Sequence, residues 1–348
     1  MHCTLFAPLC ALVCTSVDLS FLLVYNMGMS KAMDISNWFE SVRRHPVPKF
    51  ITGLRGTGKT VFLLRLRDKL LAEGVPPANI LFVDTSDPAL RQYATHEQMI
   101  DHILSSLPRK EKSYIFIREA AALPDAEVVI GTLAASLQLE IVATSSSRRL
   151  LDRGLARYFS SRLAHFEILP PDSGKPYAPE AAMSRWNEIF LHDVLAPKRI
   201  LEVTLAGRIA GWLSDNLGDA TSLRIIAAAI SPAGRLLSPH TIESYLESLE
   251  DAHLVEKTIR WDIAEEAPQK TGYKYFFTDP QLRRARFGPA PTDEARRMAL
   301  NLAWLRLSHS EDEVFTASGM PEVHFVTRSG RNYSRWQMTA DGSLKRHG

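Results

Sequence analysis

Ile51-Thr52-Gly53-Leu54-Arg55-Gly56-Thr57-Gly58-Lys59-Thr60 decides how this chain is read. From Gly53 to Thr60 it has the spacing G-x-x-x-x-G-K-[ST], and the residues on either side suit a strand before it and a helix after it. Glycines let backbone N–H groups turn inward around an anion, Lys59 adds a point charge, and the Thr60 hydroxyl can ligate magnesium. A helix opening at this point adds its N-terminal dipole to the same anion. The candidate phosphate cradle is therefore Gly53, Leu54, Arg55, Gly56, Thr57, Gly58, Lys59 and Thr60, with Thr60 as the metal ligand. The implied cofactors are ATP and Mg2+. Lys49–Leu54 reads as a buried strand and Thr60–Glu73 as an amphipathic helix closed by Gly74. The competing reading is a glycine-rich strand-to-helix turn that holds no ligand.

The 348 residues, 45% hydrophobic and 23% charged, leave room for two or three domains and argue against disorder or coiled coil. A net charge of +2 supplies no overall basic excess, so any nucleic-acid contact needs a local patch. Cys3, Cys10 and Cys14 all precede the motif, so nothing after them can form a disulfide or a thiolate zinc site, and a cytoplasmic setting is expected. Leu5–Tyr25 is largely apolar but contains Pro8 and Asp18, and no Lys or Arg occurs before Lys31. It lacks the basic start of a signal peptide. Residues 1–33 read as an apolar leader or an upstream-extended start, with Met27, Met29 or Met33 opening the folded part. A membrane anchor is the alternative, although no stable span is expected.

Asp34 is placed to cap a short helix with Ile35, Trp38, Phe39 and Val42 on one face, ended by His45-Pro46-Val47-Pro48. After the motif come a strand Ile80–Thr85 containing Asp84, a turn at Asp87-Pro88, and a helix for which Thr95 and Gln98 form a capping box. Tyr114–Ile117 is a third strand, Asp125 caps a helix through Leu137, and Glu140–Thr144 and Arg162–Leu169 are the fourth and fifth strands. This alternation predicts an α/β fold, a P-loop NTPase parallel sheet with helices on both faces. Beyond Pro170-Pro171-Asp172-Ser173-Gly174 the pattern turns helical. Ser184–Leu195 and Leu201–Leu217 read as helices, and Thr221–Ile230, Ser238–Leu249 and Leu254–Trp261 as a helix, turn, helix, strand series. That series suits a winged-helix module or, in the plainer reading, a helical lid. The expected divisions are 34–172, a P-loop domain, 173–262, a helical linker and winged helix, and 263–348, a small α+β module. The last holds a helix over Asp293–Leu307 and strands over Glu322–Thr327 and Tyr333–Met338.

Taken in order, these motifs resemble the prokaryotic AAA+-superfamily ATPases in which a P-loop domain precedes a winged helix and a degenerate nuclease-like domain. The resemblance covers roughly residues 35–340. It rests on Gly53–Thr60, Asp84–Pro88, Thr144-Ser145-Ser146-Ser147, Ser161-Arg162, Tyr245–Leu254 and Tyr275–Asp279. It implies an ATP-binding protein that couples nucleotide state to its C-terminal modules, and an ATPase if active. Glu119 is then the base that polarises water, Thr144 the strand-end group that senses the terminal phosphate, and Arg162 a finger toward a neighbouring subunit. Implied partners are nucleotide and a protein partner or homo-oligomer, with DNA a weaker candidate. The rival function is a non-catalytic scaffold or DNA-binding regulator with a vestigial P-loop.

Two departures from the family pattern matter. Arg118 stands where the third strand usually supplies a metal-shell Asp, which predicts impaired hydrolysis and puts magnesium in doubt. Either its guanidinium replaces part of the cation against phosphate, or it points into solvent. The strands around His324 and Trp336-Gln337-Met338 lack the carboxylates of a nuclease metal cage, and His324 reads as structural. Arg148, Arg149, Arg153 and Arg157 read as a solvated face, and Arg283, Arg284, Arg286, Arg296 and Arg297 as the best local basic cluster for phosphate contact.

Overall fold

The computed structural model describes residues 47–347 apart from 109–110, 156–158, 160–163, 171–176, 199–201, 232–236, 312 and 340–341. The readings made on 1–46, and Arg162, lie outside the described residues. Strands β1 (Lys49–Thr52), β2 (Ile80–Asp84), β3 (Ser113–Arg118), β4 (Leu139–Ser145) and β5 (Ala164–Glu167) form a parallel sheet in the order β2-β3-β4-β1-β5. Alternate residues of β3 explain why it is covered twice. Ile115 and Ile117 pack with Met99 and Ile103 of helix α2 (His96–Ser105) and with Val129, Ile130 and Leu133 of α3 (Ala126–Ala134). Tyr114 and Phe116 face the other way, onto Phe62, Leu63, Leu66 and Leu70 of α1 (Lys59–Ala72). The sheet is therefore a P-loop α/β layer with helices on both faces.

Local chemistry sets the boundaries. Thr95 and Gln98 cap α2 reciprocally, as their spacing predicts. Asp125 does not cap α3: its residue is left-handed at φ 41°, and its carboxylate lies 2.8 Å from His96 Nδ1 instead. The helix ends at Ala134, short of Leu137, which is 83% exposed.

Helix α4 (Pro179–Ile189) continues as a π-helical turn over Phe190–Leu195, followed by α5 (Val203–Asp215), α6 (Leu223–Ile230) and α7 (Pro239–Asp251). Ser222 and Ser238 cap α6 and α7 through their side chains. The single strand expected over Leu254–Trp261 is in fact two. β6 (Val255–Thr258) pairs with β9 (Lys274–Phe277), whereas β7 (Arg260–Asp262) leaves for another sheet, because the chain crosses between sheets at Ile259. That second sheet is larger than the sequence implied. β8 (Ala267–Pro268), β10 (Glu313–Ser318), β11 (Phe325–Ser329), β12 (Asn332–Met338) and β13 (Leu344–His347) join β7 in the order β13-β12-β11-β10-β7-β8. Helices α8 (Pro280–Phe287) and α9 (Glu294–Ser308) complete this half. Trp304 on α9 stacks on Phe276 of β9 at 5.4 Å, and both belong to the large cluster that also holds α4–α7. Among the described residues no helix is long and apolar enough to cross a membrane.

Candidate functional site

Thr52 ends β1 and Lys59 opens α1, so Gly53–Gly58 is a turn at the carboxyl edge of the sheet, beside the ends of β3 and β4. Gly53 sits at φ 143°, and a Cβ there would meet the Ile168 carbonyl oxygen at 2.2 Å, so a side chain is excluded by close backbone approach. Gly58 at φ 93° faces open space, with nothing within 4 Å of a Cβ built on it. Between them the Thr57 amide and hydroxyl both donate to the Leu54 carbonyl, at 3.3 and 2.9 Å, which holds the turn closed.

Lys59 is only 4% exposed, and its Nζ donates to Gly53 O at 2.8 Å, Leu54 O at 3.1 Å and Ser146 Oγ at 2.9 Å. Burial lowers its pKa to about 8, against the opposing pull of Glu119 and Asp193. The ammonium thus lies on the loop's own carbonyls, the position from which phosphate oxygens would compete for it. Ser146 passes the contact on: its hydroxyl and amide donate to the Glu119 carboxylate at 2.7 and 2.8 Å. Glu119 is 3.9 Å from Lys59 Nζ and adopts the left-handed region at φ 52°, an uncommon conformation for a residue with a Cβ. Its amide donates to Thr144 Oγ1 at 3.2 Å, and β4 lies between β1 and β3, so Thr144 is fully buried at the centre of the edge. Lys59, Glu119 and Thr144 are therefore brought together. Ser146 links them and was missed as a site residue, although it stands in the polar run that ends the fourth strand.

Arg118 does not point into solvent: it pairs with an acid on the neighbouring strand. β2 and β3 are in register at Asp84 and Arg118, and Arg118 Nη1 donates to both Asp84 oxygens at 2.9 Å and to Ser86 Oγ at 2.7 Å. Burial works against the Asp84 charge, but hydrogen bonds from Ser86 and then Arg118 hold its carboxyl below the usual range. The pair cancels its own charge beside the cradle. The open Gly58 side, Lys59 and the α1 N-terminus fit a nucleotide's phosphates. Magnesium fits less fully. Thr60 supplies a hydroxyl with no hydrogen-bond partner among the described residues, while Asp84 and Glu119 are already engaged.

The loop is also held from the second half of the chain, which the sequence did not reveal. Arg55 Nε and Nη2 donate to the two Asp193 oxygens at 2.7 and 2.6 Å, a bidentate pair. Burial raises the Asp193 pKa, with Arg55 opposing. Arg185 of α4 lies against Gly56, its Cζ 3.5 Å from a Cβ built there, and its Nη1 donates to Tyr177 Oη at 2.8 Å. Tyr177 in turn donates to Asp279, which caps α8.

Residues 45–174 match the family described as an AAA domain. This part of the chain is therefore an AAA-type P-loop domain. A Haemophilus influenzae protein, named only as uncharacterized, is 26% identical over 317 residues, covering 80% of this chain and 79% of that one. Among solved structures, the Walker-type ATPase PABY2304 of Pyrococcus abyssi is similar, with a TM-score of 0.44 at 14% identity over 76% of this chain and 99% of that one. A DNA polymerase III gamma-subunit-related protein of Thermotoga maritima has a TM-score of 0.30 at 16% identity, over 61% of this chain and 69% of its own.

Two basic groups outside the AAA cradle differ from expectation. Arg148 departs from the solvated face expected of it: it donates to Glu167 and Glu256, and its side chain is 23% exposed; Arg149 is exposed, and the Arg153 side chain and Arg157 lie outside the described residues. The cluster around Arg283 is dispersed by pairing, because Arg283 is fully buried against Glu294 and Ser214, and Arg297 binds Asp219 at 2.7 Å. Carboxylates close in space thus take up Arg148, Arg283 and Arg297.

Proposed function

We propose that this AAA protein binds ATP and uses its nucleotide state to set the placement of the modules after residue 172, with hydrolysis impaired at Arg118. The single observation carrying this reading is the bidentate Arg55–Asp193 pair. A residue inside the phosphate loop is held at 2.6–2.7 Å by a carboxylate from the helical half. Phosphates entering the cradle would compete for Lys59 and Arg55 alike, so occupancy of the loop bears directly on that contact. Residues 173–262 are read as a linker and winged helix, supported by the three helices α5–α7 followed by the antiparallel β6–β9 pair. Residues 263–348 are read as a degenerate nuclease-like module, and a protein partner or second copy, more than DNA, as what it meets.

Glu119 keeps the place of the catalytic base and Thr144 that of the phosphate sensor, while the Arg118–Asp84 pair removes a carboxylate from the metal shell. ATP binding is read by the rise in melting temperature it produces, and turnover by phosphate release, in the wild type, Lys59→Ala and Arg118→Asp. The expected result is stabilisation of the wild type that Lys59→Ala abolishes, with turnover at least tenfold faster in Arg118→Asp. A wild type that ATP leaves unchanged would instead make the chain a scaffold or regulator with a vestigial loop.

A further inference from the structure

A second concave site lies far along the chain from the phosphate loop. Between β9, α9 and β10 there is a cavity of about 400 Å³, within the range of small-molecule sites. Its polar wall is made by Lys274, Arg296, Thr316 and His324, its apolar wall chiefly by Phe276 and Phe325, and no Asp or Glu lines it among the described residues. Thr316 is 1% exposed and its hydroxyl is buried without a hydrogen-bond partner. A buried hydroxyl left unpaired is costly, and in native structures it usually marks a missing ligand or water.

The basic groups add to one another. Arg260 and Arg296 both bear electrostatically on Lys274, and Arg296 and Lys274 both bear on His324. Burial lowers the Lys274 pKa, and the acidic group acting on it, Asp219, is itself bonded to Arg297. His324, whose pKa is likewise lowered by burial, is a neutral donor and acceptor at pH 7, and its Nδ1 lies 3.3 Å from the Met338 amide nitrogen. Phe276 is 1% exposed and Phe325 fully buried, so the floor is apolar and closely packed. The cavity thus offers two basic side chains, Lys274 and Arg296, the latter 4.0 Å from the exposed Asp293 carboxylate, with a hydroxyl and an imidazole over an aromatic floor. Two cations balance the two negative charges of a phosphate monoester, whereas a carboxylate would leave one cation uncompensated.

We propose that this cavity binds a phosphate monoester carried on a small planar or apolar body, with Lys274 and Arg296 on the phosphate and Thr316 completing its hydrogen bonds. Such a group comes either from a free mononucleotide or from the 5′-phosphorylated end of a DNA strand. The site is independent of the phosphate loop, so its test is run where that loop is disabled as well as where it is intact.

Binding of thymidine 5′-monophosphate, thymidine, and a short DNA strand with and without its 5′-phosphate is measured by calorimetry. The full chain is used as wild type, Lys59→Ala, Lys274→Gln, Lys274→Arg and Thr316→Val. The expected result is that at least one phosphorylated probe binds wild type and Lys59→Ala alike, while its unphosphorylated form does not. Lys274→Gln should weaken that probe by roughly tenfold or more, Lys274→Arg by less, and Thr316→Val by a few-fold. Whether the nucleotide or the strand is the better probe tells the source. The proposal is overturned if no phosphorylated probe binds, or if binding vanishes in Lys59→Ala and survives Lys274→Gln and Thr316→Val.

Discussion

Among the polar contacts that join the AAA domain to the helical half, two are built in different ways. At the ends of β4 and β5, Arg148 donates to Glu167 and to Glu256 at 2.7 Å each, and its amide donates to Asp251 O at 2.9 Å. His253 Nδ1 lies 2.7 Å from the same Glu167, in a residue held at φ 54°. Glu167, His253 and Glu256 come within 4.8 Å of one another as a metal's ligands would, and the Arg148 guanidinium supplies the cation there. The other contact is a single side chain of the phosphate loop, Arg55, reaching Asp193. The first is partly buried and shared among four side chains; the second rests on one bidentate pair on the loop that must receive phosphate. On the proposed coupling, Arg148 acts as a fixed pivot and Arg55 as a releasable clasp.

The largest effect should come from breaking the pivot. Arg148→Met leaves the partly buried Glu167 and Glu256 without their cation; breaking a fully buried pair costs about 3–5 kcal/mol, so a loss of about 2–3 kcal/mol is expected here. Against a usual total of about 5–15 kcal/mol this is a large fraction, and urea unfolding measures it. A loss below about 1 kcal/mol would show that the cluster is not a pivot.

A smaller effect isolates the sheet beneath the clasp. His165 Nε2 bonds Thr52 Oγ1 at 2.7 Å just before the phosphate loop, and burial lowers its pKa from 6.5 to about 4. The unfolded chain therefore takes up this proton first as pH falls. Stability fully present above about 6.5 is lost progressively down to about 4, by up to about 1.4 kcal/mol per pH unit for each such histidine. His253, lowered to about 4 as well, contributes a similar slope. His165→Gln should keep a partner for Thr52, flatten roughly half of the acid limb and leave ATP binding unchanged. An unaltered acid limb would contradict the assignment.

The two halves also differed in how far their sequence could be read. In the AAA domain each strand is a short apolar run and the glycines of the phosphate loop mark demanding backbone positions, so the parallel sheet and the cradle followed from local pattern, while the places of Glu119 and Thr144 were implied by the family resemblance. What stayed hidden was pairing. Nothing near Arg118 announces Asp84, and nothing near Arg55 announces Asp193, because those partners lie 34 and 138 residues away. In the C-terminal half, β12 is half exposed along its length and β7 has only three residues, so neither shows the apolar alternation that marks a strand. The cavity there was invisible for the same reason: Lys274, Arg296, Thr316 and His324 belong to four separate segments.

Hydrogen exchange of α4 and the π-helical turn, residues 179–195, with and without ATP, tests the coupling most directly. The clasp account predicts that ATP changes protection in this segment in the wild type and not in Lys59→Ala, while protection at β4 and β5 around Arg148 stays constant. ATP that binds yet leaves residues 179–195 unchanged would contradict it.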